Sequence, residues 1–239
     1  MLTTVFGIAA ATLAANAAPH WIGRFSDPGP PPGPWRNIAY PGERQTRYRV
    51  AVVAGKTAIE AAVDGSMSLM ARPISVDLSQ TPVLCWRWYV DAPVAKADMT
   101  RKSGDDYAAR IYVAFDMPDS AISGSTKLKL RMARGMFGRN VPDAAVIYIW
   151  DNKHAIGTAR KSSYTDRSQL VVAETGGARA GKWVSERADL AEDFGRAFKN
   201  QPGKPIQLAV AADGDNTNSK GRAAFADIHF VRRREQCSF

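Results

Sequence analysis

Short runs of alternating apolar and polar residues begin at Arg47 and recur to the C-terminus. Tyr48-Arg49-Val50-Ala51-Val52-Val53 is the first. Residues 59–63 and 68–71 follow it, and the pair Asp64-Gly65 between them has turn chemistry. Residues 83–90 (VLCWRWYV) alternate most clearly. Leu84, Trp86, Trp88 and Val90 share one face, which assigns both tryptophans to a core, while Cys85, Arg87 and Tyr89 share the other. In the next run Ile111, Val113 and Phe115 face one way, and Arg110, Tyr112 and Ala114 the other; Tyr89, Tyr112 and Arg110, on the less apolar faces, are the candidates for a ligand surface. Apolar runs at 145–150, 169–174, 205–212 and 223–231 complete the series, with Asn, Asp, Gly, Ser and Pro filling the gaps.

Many short strands separated by turn signals predict a mainly β protein: a two-sheet antiparallel sandwich of jelly-roll type. One helix is expected near 189–200. Asp189 and Glu192 have capping-box spacing, and Leu190, Phe194 and Phe198 recur every four residues before Pro202-Gly203. Residues 127–136 alternate basic and apolar side chains and fit either an amphipathic strand or a short helix. Residues 27–34 (DPGPPPGP) cannot form a helix or donate a ladder, so they read as an extended spacer or surface strap. The expected organisation is a leader over 1–17, a Pro/Gly-rich lead over 18–46, one sandwich over 47–232 and a tail over 233–239.

The leader rests on the charge-free apolar run at 5–14 followed by Ala15-Asn16-Ala17, the small-x-small pattern of a cleaved secretory signal, although no Lys or Arg precedes it. The mature chain is then expected in the periplasm or outside the cell. No later stretch is long and apolar enough to span a membrane as a helix. Net charge is +9 with the basic residues scattered, and only Arg232-Arg233-Arg234 forms a run, beside the C-terminus. Such a chain attracts polyanions in general, and nucleic acid is not expected as a partner. Cys85 reads as a small buried strand residue; a bridge to Cys237 is the alternative that an oxidising compartment permits. No Cys/His cluster has zinc spacing.

Motifs for catalysis are sparse. Gly55-Lys56-Thr57 lacks the upstream glycine of a phosphate loop, since Val50 stands there, and no GxSxG occurs. His20 borders the leader, His154 lies in a turn, and His229 reads as a surface residue of the last strand. The acids say more. Asp105-Asp106 precede one strand and Asp116 ends it, Asp151-Asn152 end another, and Asp213-Gly214-Asp215-Asn216-Thr217 ends a third. Acids at strand ends can cap turns, bind calcium, hold sugar hydroxyls or act as an acid/base pair. The expected ligand set is Asp105, Asp106, Arg110, Tyr112, Asp151, Asn152, Asp213, Asp215 and Asn216. Asp106, Asp151 and Asp213 are the catalytic candidates, and Asp213, Asp215 and Asp227 the calcium candidates.

Taken in order, Leu84-Cys85-Trp86-Arg87-Trp88, then Gly104-Asp105-Asp106-Tyr107-Ala108-Ala109-Arg110-Ile111-Tyr112-Val113, then Trp183-Val184-Ser185-Glu186-Arg187-Ala188-Asp189 with Asp193-Phe194, and the 213–217 loop resemble the signature of a bacterial family, domain of unknown function 3047. That likeness spans about 48–230 and implies a fold; it carries no established reaction. Phe225-Ala226-Asp227-Ile228-His229-Phe230 is also similar to the last strand of galactose-binding-like jelly rolls, which include carbohydrate-binding modules. In those an Asp at the place of Asp227 often serves a calcium site, and the Asp that usually precedes it is Ala226 here. The resulting expectation is an exported sandwich that binds a carbohydrate or other envelope glycan. The alternatives are a polysaccharide-active hydrolase or lyase using a carboxylate pair, and an envelope interaction protein without a small ligand.

Overall fold

Among the described residues, 18–138 and 141–239 of the computed structural model, the alternating runs become thirteen strands in two sheets. The leader expected over 1–17 lies outside those residues. The first sheet contains β1 (His20–Gly23), β3 (Arg47–Val53), β4 (Lys56–Asp64), β6 (Val83–Val90), β11 (Val184–Asp189) and β13 (Lys220–Val231). Its order is β11-β6-β13-β4-β3, with β1 also paired to β13. The second contains β2 (Arg36–Ala39), β5 (Ser68–Pro73), β7 (Arg110–Asp116), β8 (Ala144–Asp151), β9 (Ala159–Lys161), β10 (Ser168–Thr175) and β12 (Lys204–Ala211), in the order β2-β5-β12-β7-β8-β10-β9.

The sheets meet through the faces that alternation assigned to the core. Trp86 and Trp88 are fully buried and pack on Tyr148 and Trp150 of the opposite sheet, with ring centroids 5.1 and 5.8 Å apart. Ile111, Val113 and Phe115 join the same core. The pairing is not purely antiparallel, because β8 and β10 run parallel. Every residue of β8 is buried, as befits a strand whose two faces are both covered. The expected helix is present as α2 (Leu190–Phe198), with the Asp189 carboxylate accepting from the Glu192 N–H at 3.0 Å and Leu190, Phe194 and Phe198 buried. The capping box is only half made: Glu192 pairs with Arg196 instead of reaching back. A second helix, α1 (Gly124–Phe137), occupies the segment that fitted either strand or helix, capped by Ser123.

Four expectations are corrected at the chain ends and faces. The lead is no mere spacer, since β1 and β2 add a strand to each sheet, and Gly29 exchanges backbone hydrogen bonds with Val50. Cys85 is not free: it is bonded to Cys237, which ties down the tail. His229 is fully buried, under Trp21 and Phe239. Tyr89 is buried on the outer face of the first sheet against Trp183, so it offers no ligand surface. The turn chemistry of Asp64-Gly65 does hold, with Gly65 at φ +52°.

The bridge closes a long loop, so removing it frees the unfolded chain far more than the folded one. Cys85→Ser with Cys237→Ser should cost about 2–5 kcal/mol, at about 2–4 °C in melting temperature per kcal/mol for a chain of this size. Unchanged melting under a reductant that demonstrably opens the bridge would contradict this. His229 supplies a second test. Its Nδ1 lies 2.7 Å from the Asp227 carbonyl and so carries the proton, and Nε2 accepts from the Ser238 N–H at 3.0 Å. Burial lowers its pKa. Below about pH 6.5 the unfolded chain takes up a proton that folded His229 refuses. Its stabilisation is therefore full above that pH and lost as pH falls toward the lowered folded value. Urea titrations should show wild type losing stability relative to His229→Gln over that window, and parallel curves would remove His229 from acid sensitivity.

Candidate functional site

Arg110 opens β7 on the outer face of the second sheet, opposite Ala211 at the end of β12. Asp213 follows two residues later, so the period of two brings both side chains to the same end of the same face. The guanidinium grips Asp213 with two N–H groups, Nε to Oδ1 at 2.9 Å and Nη2 to Oδ2. It also donates to the Asp105 side chain at 3.4 Å and to the Asp105 carbonyl. Tyr107 N–H adds a third donor to Asp213 at 3.0 Å. The Tyr107 ring lies under the guanidinium, 4.4 Å from its carbon. Asp106, fully buried, accepts from Thr217 N–H at 2.6 Å and from both nitrogens of Asn216 at 3.2 and 3.3 Å. The Asp105–Arg110 segment is thus clamped to the 213–217 loop. Gly214 serves this turn by its size: a Cβ there would lie 2.4 Å from the Ser219 carbonyl oxygen.

Burial alone would lower the pKa of Arg110, but Asp213 and Asp105 raise it well above its ordinary value. Burial raises the Asp213 carboxyl, Arg110 pulls it down, and Asp106 and Asp105 push it up. A carboxylate with a planar two-point grip and a third N–H donor remains the charged partner of an ion pair. Asp215 is different. It is half-buried and receives only the Asn216 amide at 3.0 Å, and burial, then Asp106, pushes its pKa up to about 6.

Beside this cluster the outer face of the second sheet forms a cleft of about 600 Å³. Tyr112, Leu69, Ile147 and Leu170 line its apolar part; Thr126, Lys129, Leu130 and Ala133 of α1 form one side. Tyr40 and Tyr164 add two rings, and Tyr164 donates its hydroxyl to Asn216 Oδ1 at 2.7 Å. Asp105, Arg110, Asp213, Asp215 and Asn216 close the polar end. One carboxylate oxygen of Asp105 and one of Asp215 have no hydrogen-bond partner among the described residues.

Seven of the expected ligand residues therefore come together: Asp105, Asp106, Arg110, Tyr112, Asp213, Asp215 and Asn216. Asp151 and Asn152 stand outside the cleft lining. Asp151 ends β8 and accepts from the Lys153 and His154 N–H groups and the His154 ring, while Asn152 donates to the Ala95 carbonyl. Asp227 lies on the other sheet, between Lys56 at 3.0 Å and Arg87 at 3.5 Å. The calcium set Asp213, Asp215 and Asp227 is thus divided between two sheets. Carboxylate oxygens of Asp106, Asp213 and Asp215 do approach within 4.8 Å of one another. Calcium needs six to eight oxygens. Here Asp213 is spent on Arg110, Asp106 on three N–H groups, and a guanidinium already supplies the positive charge, so these residues do not fit that ion. Tyr40 and Tyr164 carry little signal in the sequence: Tyr40 stands two positions after Ile38, and Tyr164 is a lone tyrosine in a Ser/Thr/Asp loop.

A mainly β sandwich with a half-apolar, half-acidic cleft on one outer face is thus the class of the molecule. The chain belongs to the family of proteins of unknown function DUF3047, whose model matches residues 33–229. No curated protein matches this sequence. Among solved structures it is similar to the family 30 carbohydrate-binding module of the cellulosomal cellulase CEL9D-CEL44B of Clostridium thermocellum, at 10% identity and TM-score 0.37, over 92% of this chain and 96% of that one. It is also similar to SGBP-B from a complex xyloglucan utilization locus in Bacteroides uniformis, at 10% identity and TM-score 0.27, over 79% of this chain and 56% of that one.

Arg110→Met leaves Asp213 buried without its counter-charge, which should cost about 3–5 kcal/mol. Arg110→Met with Asp213→Leu removes both charges and should recover much of that loss in urea unfolding. A single variant as stable as wild type would show that the pair does not hold the cluster.

Proposed function

We propose that the protein is an exported glycan-binding sandwich and that the cleft on the second sheet holds the sugar. One observation carries this reading: the cleft combines tyrosine rings and aliphatic floor with an acidic, amide-bearing end. Sugars present apolar C–H faces together with hydroxyl donors, so both halves of such a cleft have something to meet. Half-buried Asp215 and the Asn216 amide line that end and supply groups that a ligand hydroxyl can meet. The cleft volume falls within the usual range for small-ligand sites. The Cys85–Cys237 bridge supports an oxidising compartment, hence the periplasm or the cell exterior.

Binding is favoured over hydrolysis by the state of the acids. Asp106, Asp213 and Asp105 are committed to backbone N–H groups and Arg110, which leaves Asp215 to meet a ligand. Tyr164 is 54% exposed, so Tyr164→Ala should leave the fold intact and lower the affinity for a retained oligosaccharide about tenfold, the loss of one ring face and one hydrogen bond. Calorimetry against envelope and plant polysaccharide fragments checks it. Unaltered affinity would move the site elsewhere. New reducing ends, abolished by Asp215→Asn, would make the protein an enzyme.

A further inference from the structure

We propose that α1 docks the protein on an anionic lipid surface. Leu128, Met132 and Met136 stand four residues apart and form one stripe along the helix, exposed by 55%, 57% and 70%. Three large apolar side chains on one stripe differ from singly scattered ones, which every soluble surface carries. The opposite side of the helix holds a single fully covered apolar residue, Leu130, which faces the cleft. Among the described residues the stripe is left out of the core and is open to a partner.

Charge selects the occupant. The helix sequence GSTKLKLRMARGMF contains four basic residues and no acid. Lys127 pairs with Asp119 and Arg134 with Asp143, while Lys129 and Arg131, which flank the stripe on its two sides, make no ion pair among the described residues. A helix lying in a bilayer interface needs this arrangement: an apolar strip entering the acyl boundary, with cations at its margins to meet anionic headgroups. The net charge of +9 adds a long-range attraction of the same sign. Docked this way, α1 would bring the cleft it borders next to the membrane. The inference does not depend on what the cleft holds.

The experiment is flotation of the full chain with vesicles of phosphatidylglycerol and phosphatidylcholine, compared with phosphatidylcholine alone. Wild type should float with the mixed vesicles, stay behind with the neutral ones, and be released by salt, because headgroup attraction is screened. Leu128→Ser with Met132→Ser and Met136→Ser should reduce bound protein about tenfold, as should Lys129→Glu with Arg131→Glu. All five side chains are solvent-facing, so circular dichroism should confirm folded variants. Equal flotation with neutral vesicles, or a serine variant that floats like wild type, overturns the proposal. So does a wild-type dimer that the serine variant converts to monomer, since the stripe would then belong to a second copy.

Discussion

The buried pair of Arg110 and Asp213 is the interaction on which the candidate site depends. Two charges taken out of water repay the cost only if their geometry is good and their remaining donors and acceptors are used. Both conditions are met. Arg110 spends its N–H groups on Asp213 and on the side chain and carbonyl of Asp105, and Asp213 takes a further N–H from Tyr107. Because those partners lie on the segment before β7 and on the loop after β12, satisfying one pair fixes two loops at once. Asp106 repeats the device from the other side, accepting from Asn216 and Thr217.

A second constraint is that the second sheet is covered on both faces. Its inner face meets the tryptophans of the first sheet. Its outer face is partly roofed by Met99 and Tyr107 from the connection between β6 and β7, and by Tyr40 just after β2. The cleft is the part left open between these covers and α1. It is therefore a gap in a second apolar layer, which explains why its floor is aliphatic and why its polar end coincides with the ion pair that anchors the covering loop.

Most of the strands were legible because one face of each is buried and the other is not, so alternation marks them directly. The 83–90 run is the clearest case. The same rule misled for His229 and Tyr89, which alternate away from the main core yet are buried. Their face is covered by the side chains of Trp21 and Trp183 and by the C-terminal residues, and no local pattern announces what will lie on top of a strand. The lead hid its two strands because Pro and Gly at 27–34 dominate its composition, while four-residue strands carry too little periodicity to compete. Pairing of Cys85 with Cys237 depends on the tail returning to β6, a long-range contact invisible in spacing. Convergence of Asp105, Asp106 and Arg110 with the 213–217 loop was readable as acids at strand ends. That Asp151 would be left out was not, since strand order decides which ends are neighbours.

The saturation of Asp106 and Asp213 bears on what the site can do. A catalytic acid needs a proton to exchange and room for the atom that receives it. Asp213 is enclosed by three N–H groups, and Asp106 does not line the cleft. Moving a proton onto either would break the hydrogen bonds that hold both loops. Their rigidity instead presents Asp215, Asn216 and Tyr164 in one fixed arrangement, with the Tyr164 hydroxyl already bound to Asn216. Groups held in place before a ligand arrives lose little entropy when it binds. The charges in this protein that look most like chemistry are thus spent on building a platform that carries Asp215, Asn216 and Tyr164 at the edge of the cleft.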